Sequence, residues 1–203
     1  MSRRGKRITI FDYGAGNLHS LAKAVALFGT APVVETDPVR AVETDVLFLP
    51  GVGAFTPAAE RLAPGRDVMQ QALAGGLPCL GICLGMQLLL EGSDEGGGRG
   101  LGVIPGWVTR IGAERLPQIG WNTLAGPNDP LLVESGLDTV YYANSYVCRP
   151  DKLSHVTSWS SHEGDRFAGS VRRGRTVGVQ FHPEKSSSAG VAFIHAFLRE
   201  MLT

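Results

Sequence analysis

Leu77-Pro78-Cys79-Leu80-Gly81-Ile82-Cys83-Leu84-Gly85-Met86-Gln87 is an apolar run that sets one cysteine between two glycines. A short buried strand that stops at a thiol and turns at once into a helix lifts that thiol clear of a sheet. Gly81-Ile82-Cys83-Leu84-Gly85 has the spacing of the G-x-S-x-G nucleophile elbow, with sulfur in place of oxygen, and both glycines leave room for the sharp turn. Cys83 is thus the first candidate for chemistry. The competing reading is a plain core thiol, since free cysteine is among the most buried residue types. Cys79, within the strand, is read as core.

Before the elbow, the chain alternates strand and helix signals. Arg7 to Phe11 reads as a buried strand, followed by the loop Asp12-Tyr13-Gly14-Ala15-Gly16-Asn17 and a helix in which Leu18, Leu21, Val25 and Phe28 recur at helical spacing before Gly29. The glycine loop invites a dinucleotide reading, but the fingerprint needs a third glycine where this chain has His19. Pro32 to Thr36 and Val46 to Pro50 are two further strands. The loop Gly51-Val52-Gly53-Ala54-Phe55 then leads into a helical region from about Thr56 to Ala74. Alternation of this kind predicts a doubly wound, mostly parallel α/β sheet, with sites at the carboxyl ends of its strands.

After the elbow helix, Glu91 to Gly102 is glycine-dense and reads as a flexible loop. Beyond it lie short β-rich stretches at 103–111, 118–124, 140–148, 155–160, 167–172 and 176–181, which predict mixed or antiparallel strands added to the sheet and its edge. Ser187 to Leu202 reads as a closing helix with Val191, Ile194 and Leu198 on one face. No linker divides the chain, so residues 1–203 are expected to form a single domain.

Lys plus Arg and Asp plus Glu number 19 each, and the basic residues form no long stripe. Nucleic acid and anionic membrane are therefore not expected partners. Three cysteines, Cys79, Cys83 and Cys148, without a C-x-x-C pair speak against a disulfide framework or a metal site and for a reducing setting. The basic start is followed by an apolar run too short for a signal peptide, and no stretch has the length of a membrane span, so a cytoplasmic location is expected.

The second informative stretch is Gly178-Val179-Gln180-Phe181-His182-Pro183-Glu184-Lys185-Ser186. An apolar strand leads into His182, and residues two apart on an extended chain point to one side, so Glu184 can hold the imidazole and fix its tautomer. Thiol, imidazole and carboxylate at strand ends make the Cys-His-Glu arrangement that activates a nucleophile. Such a site suits an amide: the thiolate attacks the carbonyl, and His182 gives a proton to the departing nitrogen. The tetrahedral oxyanion has two sources of backbone donors, the N–H of Leu84 and an N–H from Gly51 to Gly53. Singly, each piece has an ordinary structural explanation. Together they fall at the carboxyl ends of predicted strands. His19, His155, His162 and His195 are read as structural or solvated.

The elbow with His182-Pro183-Glu184 closely resembles the class I (triad) glutamine amidotransferases. Asp12-Tyr13-Gly14-Ala15-Gly16-Asn17-Leu18, Pro50-Gly51-Val52-Gly53-Ala54-Phe55, Leu116-Pro117-Gln118-Ile119-Gly120-Trp121-Asn122 and His182-Pro183-Glu184-Lys185-Ser186-Ser187 resemble the glutaminase subunits of imidazole glycerol phosphate synthases. Those subunits serve histidine biosynthesis. The resemblance implies a flavodoxin-like fold, no cofactor, and a heterodimer with a (β/α)₈ cyclase subunit. It further implies Cys83 as nucleophile, His182 as base and acid, Glu184 as orienting carboxylate, and Val52 and Gly53 on the oxyanion strand. By the same resemblance Gln87, Glu95, Asn144, Ser145 and Tyr146 hold glutamine, and Asn17, Trp121 and Lys185 lie near the partner. Asn144 and Gln118 stand where that family more often has histidine.

Other readings remain open at this level. One is the glutaminase of another synthase, such as that of pyridoxal phosphate; another is a stand-alone γ-glutamyl thiol hydrolase. A regulatory module that has kept the fold is the non-enzymatic alternative.

Overall fold

A computed structural model describes residues 5–14 and 18–203; Asn17 lies outside the described residues. The first half alternates as expected: β1 (Ile8–Phe11), α1 (Leu18–Ala26), β2 (Val33–Glu35), α2 (Pro38–Ala41), β3 (Val46–Leu49), α3 (Phe55–Leu62), α4 (Arg66–Ala74), β4 (Cys79–Ile82) and α5 (Leu84–Leu88). The helical region after the third strand is two helices, not one. Ala63–Gly65 forms a 3₁₀ turn between them, with Pro64 inside it, because proline cannot donate to a continuing helix.

The second half contains β5 (Gly92–Ser93), β6 (Gly106–Arg110), β7 (Gln118–Thr123), α6 (Pro130–Ser135), β8 (Thr139–Asn144), β9 (Tyr146–Pro150), β10 (Val156–His162), β11 (Asp165–Arg173), β12 (Thr176–Val179) and α7 (Ser187–Leu202). The main sheet runs β10-β11-β12-β4-β3-β1-β2. From β2 to β12 all neighbours are parallel, and β11 and β10 extend that edge antiparallel. The order β2-β1-β3-β4-β12 is that of the flavodoxin-like doubly wound sheet.

Alternation along each strand builds two cores. Ile8, Ile10, Val46, Phe48, Leu80 and Ile82 face α1 and α7, meeting Leu21, Val25, Phe193 and Phe197. Phe11, Leu47, Leu49 and Cys79 face the other way, toward Phe55, Leu62, Met69 and Leu73 of α3 and α4. A strand covered on both faces has no polar side, which is why these segments read as continuous apolar runs.

Two expectations need correction. The 140–148 stretch is not one strand: it breaks at Ser145 into β8, which pairs with β7 as a separate hairpin, and β9, which joins β6 and β5 in a three-stranded sheet. Glu91–Gly102 is not a loose loop. Its backbone is tied to the end of α5 through Leu101 N–H to Leu88 C=O at 2.7 Å and Gly102 N–H to Leu90 C=O at 3.0 Å, while Gly92 and Ser93 pair with β6. Those anchors are backbone groups far away in sequence, so glycine content alone could not reveal them.

Candidate active site

The elbow is set by contacts that exclude side chains. A Cβ on Gly85 would lie 1.9 Å from the Leu49 carbonyl oxygen, and one on Gly51 would lie 2.0 Å from that of Ile82. The ends of β3 and β4 therefore press backbone against backbone. Between them Cys83 adopts φ +48°, ψ −103°, a region that non-glycine residues occupy only when the surroundings impose it. Its N–H donates to the Val179 carbonyl at 2.7 Å, and its own carbonyl accepts from Gln87 N–H at 3.1 Å. Cys83 is 6% exposed, whereas Cys79 is fully buried and burial pushes its thiol well above the usual range. Cys79 is thus a core thiol, while Cys83 keeps a small opening to the site.

His182 follows the end of β12. Its N–H donates to the Tyr141 carbonyl at 2.9 Å, and its carbonyl accepts from the Ser186 hydroxyl at 2.7 Å, which fixes the backbone on both sides of the ring. His182 Nδ1 lies 2.8 Å from Glu184 Oε1. Burial disfavours charge on the ring. The neighbouring Cys83 sulfur and the Glu184 carboxylate outweigh that effect, raising the His182 pKa to about 10. Nε2 is buried without a hydrogen-bond partner, and catalytic hydrogen bonds of this kind often tighten only when substrate enters.

Cys83 opens into a cavity of about 190 Å³ lined by Gly53, Leu84, Gln87, Glu95, Pro117, Ala143, Asn144, Ser145 and Tyr146. All five residues expected to hold glutamine are there. Gln87 and Asn144 each donate from their side-chain amides to the Tyr146 carbonyl at 3.0 Å, leaving Asn144 Oδ1 without a partner. The Glu95 carboxylate accepts from Phe55 N–H at 2.9 Å, satisfying the start of α3 in place of a capping side chain. Val52 lies elsewhere: it lines a small neighbouring cavity with Leu18, Ile82, Glu184 and Lys185. Gly53, at φ +122°, stands at the boundary.

Trp121 is 56% exposed and packs edge-on against Tyr141, over whose ring the Lys185 ammonium sits at 5.9 Å. Ile119, two residues before Trp121, is 67% exposed and went unnoticed in the sequence, although residues two apart on a strand share a face. Gln180 was missed as well. It is buried, and its side-chain amide donates to Cys83 Sγ at 3.5 Å. Among the described residues no cluster of three or more His, Cys, Asp or Glu could hold a metal, and no helix is long and apolar enough to cross a membrane.

The model of the glutamine amidotransferase class-I family matches residues 9–201. The chain belongs to that family. Relatives named imidazole glycerol phosphate synthase subunit HisH include one from Synechococcus elongatus, 38% identical with 96% of this chain and 94% of the relative covered. Another, from Corynebacterium glutamicum, is 39% identical with 95% and 98% covered. Within the class-I amidotransferases, then, the chain is of the HisH kind, a family of enzyme subunits. A crystal structure titled glutamine amidotransferase superposes with a TM-score of 0.74 over 97% of this chain and 99% of that one at 19% identity, a likeness of fold.

Proposed function

We propose that this chain is the glutaminase subunit of an imidazole glycerol phosphate synthase. It hydrolyses glutamine through Cys83, His182 and Glu184 and hands ammonia to a cyclase subunit in histidine biosynthesis. The observation that carries the reading is the thiol at a strained elbow beside an imidazole held 2.8 Å from a carboxylate.

The Cys83 thiolate attacks the γ-carbonyl of glutamine, and the oxyanion forms against the Leu84 N–H. Protonated His182 gives its proton to the amide nitrogen, the C–N bond breaks, and ammonia departs from a thioester. His182, now neutral, takes a proton from water as the water oxygen bonds to the acyl carbon; the C–S bond breaks and glutamate leaves. Gln87, Glu95, Asn144, Ser145 and Tyr146 line the space for the amino-acid end of the substrate. Ammonia set free in neutral water is mostly protonated and no longer nucleophilic, which favours direct transfer to a partner.

The second oxyanion donor in this reading is the Val52 N–H. Val52 lines a separate cavity in the resting chain, and in this reading the peptide between Gly51 and Val52 turns its N–H inward when the partner and its nucleotide bind. Trp121, Tyr141, Lys185 and Ile119 supply a face beside the site for the cyclase subunit, and the family resemblance assigns Asn17 to the same partner. A cytoplasmic location, a (β/α)₈ partner and a single domain spanning 1–203 complete the proposal.

The test is ammonia release from glutamine by the chain with its cyclase subunit, for the parent and for Cys83→Ser. Parent turnover with a Cys83→Ser loss of at least about a thousandfold is expected, the size seen when a catalytic nucleophile is removed. Equal turnover by the two would reject Cys83. Stimulation by a pyridoxal phosphate synthase and not by the cyclase would reassign the pathway.

A further inference from the structure

We propose that Gln180 is a positioning residue for the nucleophile, its side-chain amide holding the Cys83 sulfur in the charged state that attacks. The inference rests on the reading of Cys83 as nucleophile and adds a residue to the three of the triad. Gln180 follows β12 by one residue and precedes His182 by two, so the extended chain presents amide and imidazole to the same side. Its backbone is fixed by donation from its N–H to the Gly169 carbonyl at 2.9 Å, and the side chain is fully buried. Nε2 donates to Cys83 Sγ at 3.5 Å, while Oε1 is buried and has no partner.

That unpaired carbonyl separates a structural role from a positioning one. A buried amide with half of its capacity unmet destabilises a fold, and an apolar side chain of similar volume would fill the space at no such penalty. What the amide provides is a donor aimed at sulfur. A neutral thiol is a weak acceptor, a thiolate a strong one, so the bond favours the charged form. The titratable groups around the sulfur are His182 backed by Glu184, Tyr13 after β1, Tyr142 on β8 and Cys148 on β9, with Glu95 and Tyr146 lining the same cavity. Burial keeps Tyr13, Tyr142 and Cys148 neutral, which leaves the His182 ring as the positive charge and Gln180 as the neutral donor. During deacylation the electron pair of the breaking C–S bond returns to sulfur, where the same N–H receives it.

The experiment alkylates the full-length chain with iodoacetamide from pH 5 to 10, follows the Cys83 peptide by mass spectrometry, and records thermal midpoints in parallel. Gln180→Met removes the donor and keeps the volume; Gln180→Glu keeps the shape and sets a carboxyl group against the sulfur. For Gln180→Met the alkylation profile is expected to move about one pH unit to the alkaline side, with about tenfold slower reaction at pH 7, the effect of losing a hydrogen bond to a charged group. Its thermal midpoint should be unchanged or higher. Gln180→Glu should move the profile at least as far. An unchanged profile in either variant with a parental melting point would overturn the proposal. So would instability of both variants, which would make Gln180 a structural residue. Alkylation needs neither glutamine nor partner: a chain that shows these shifts but releases no ammonia even in the complex with its cyclase subunit and nucleotide refutes the glutaminase reading and leaves the role of Gln180 intact.

Discussion

The elbow at 81–85 and the loop at 50–55 face each other across the ends of β4 and β3, yet they are built in opposite ways. At the elbow the backbone is closely packed: Gly81 and Gly85 have no room for a Cβ, and Cys83 is held by hydrogen bonds at both its N–H and its carbonyl. Two residues on from Gly51 the chain is released. Gly53 is exposed at φ +122°, and Val52 lines a cavity that does not contain the thiol. In the proposed mechanism the nucleophile is preformed, and one oxyanion donor, the Val52 N–H, has still to be brought in. A site built this way has its chemistry ready and its stabilisation withheld, which is the division an enzyme needs if it is to wait for a partner.

Gly85→Ala attacks the preformed side and should have the largest effect. Its Cβ would meet the Leu49 carbonyl at 1.9 Å, so chemical denaturation should show a loss of about 4 kcal/mol or more, or no folded protein at all. Val52→Pro attacks the other side by deleting the N–H and leaving the elbow untouched. Turnover in the complex should drop about 10²- to 10³-fold, as for removal of one oxyanion donor, while alkylation of Cys83 stays within about threefold of the parent. Equal loss of both would show that the two regions are one unit.

Trp121→Ala tests the face through which a partner would reach the loop. Titration calorimetry with the cyclase subunit should show affinity about 30-fold weaker, the usual cost of a central aromatic anchor, with the isolated chain alkylating normally. The smallest expected effect is on pH. Because His182 is raised from 6.5 to about 10, its charge stabilises the fold fully below about pH 6.5, and that contribution is lost as the pH rises through about 10. The stability gap between parent and His182→Gln, measured by urea unfolding, should therefore close over that interval, and turnover should fall on the same alkaline limb as the proton donor is lost.

How much of this could be read from residues alone follows the same division. The strands β1, β3 and β4 were legible because burial on both faces leaves an uninterrupted apolar run, helix α7 because Val191, Ile194 and Leu198 recur on one face, and the elbow because its glycines have a steric cause. His182 and Glu184 were legible through their spacing of two. The anchoring of Glu91–Gly102 was not, since it is made by backbone groups of α5 and β6. The break at Ser145 was hidden in a stretch with strand character on either side. Gln180 was passed over because one amide in an apolar strand reads as an interruption, although its spacing of two from His182 was the signal that could have found it. The conformation of Val52 has no counterpart in local sequence, because glycine-flanked peptides allow more than one.

The most direct test of a preformed nucleophile with a withheld oxyanion donor is the rate of ammonia release from saturating glutamine. It should be measured for the isolated chain and for the complex with its cyclase subunit and nucleotide substrate. The account predicts release at least about a hundredfold faster in the loaded complex, the worth of one oxyanion donor. An isolated chain that turns glutamine over as fast as the complex would contradict it.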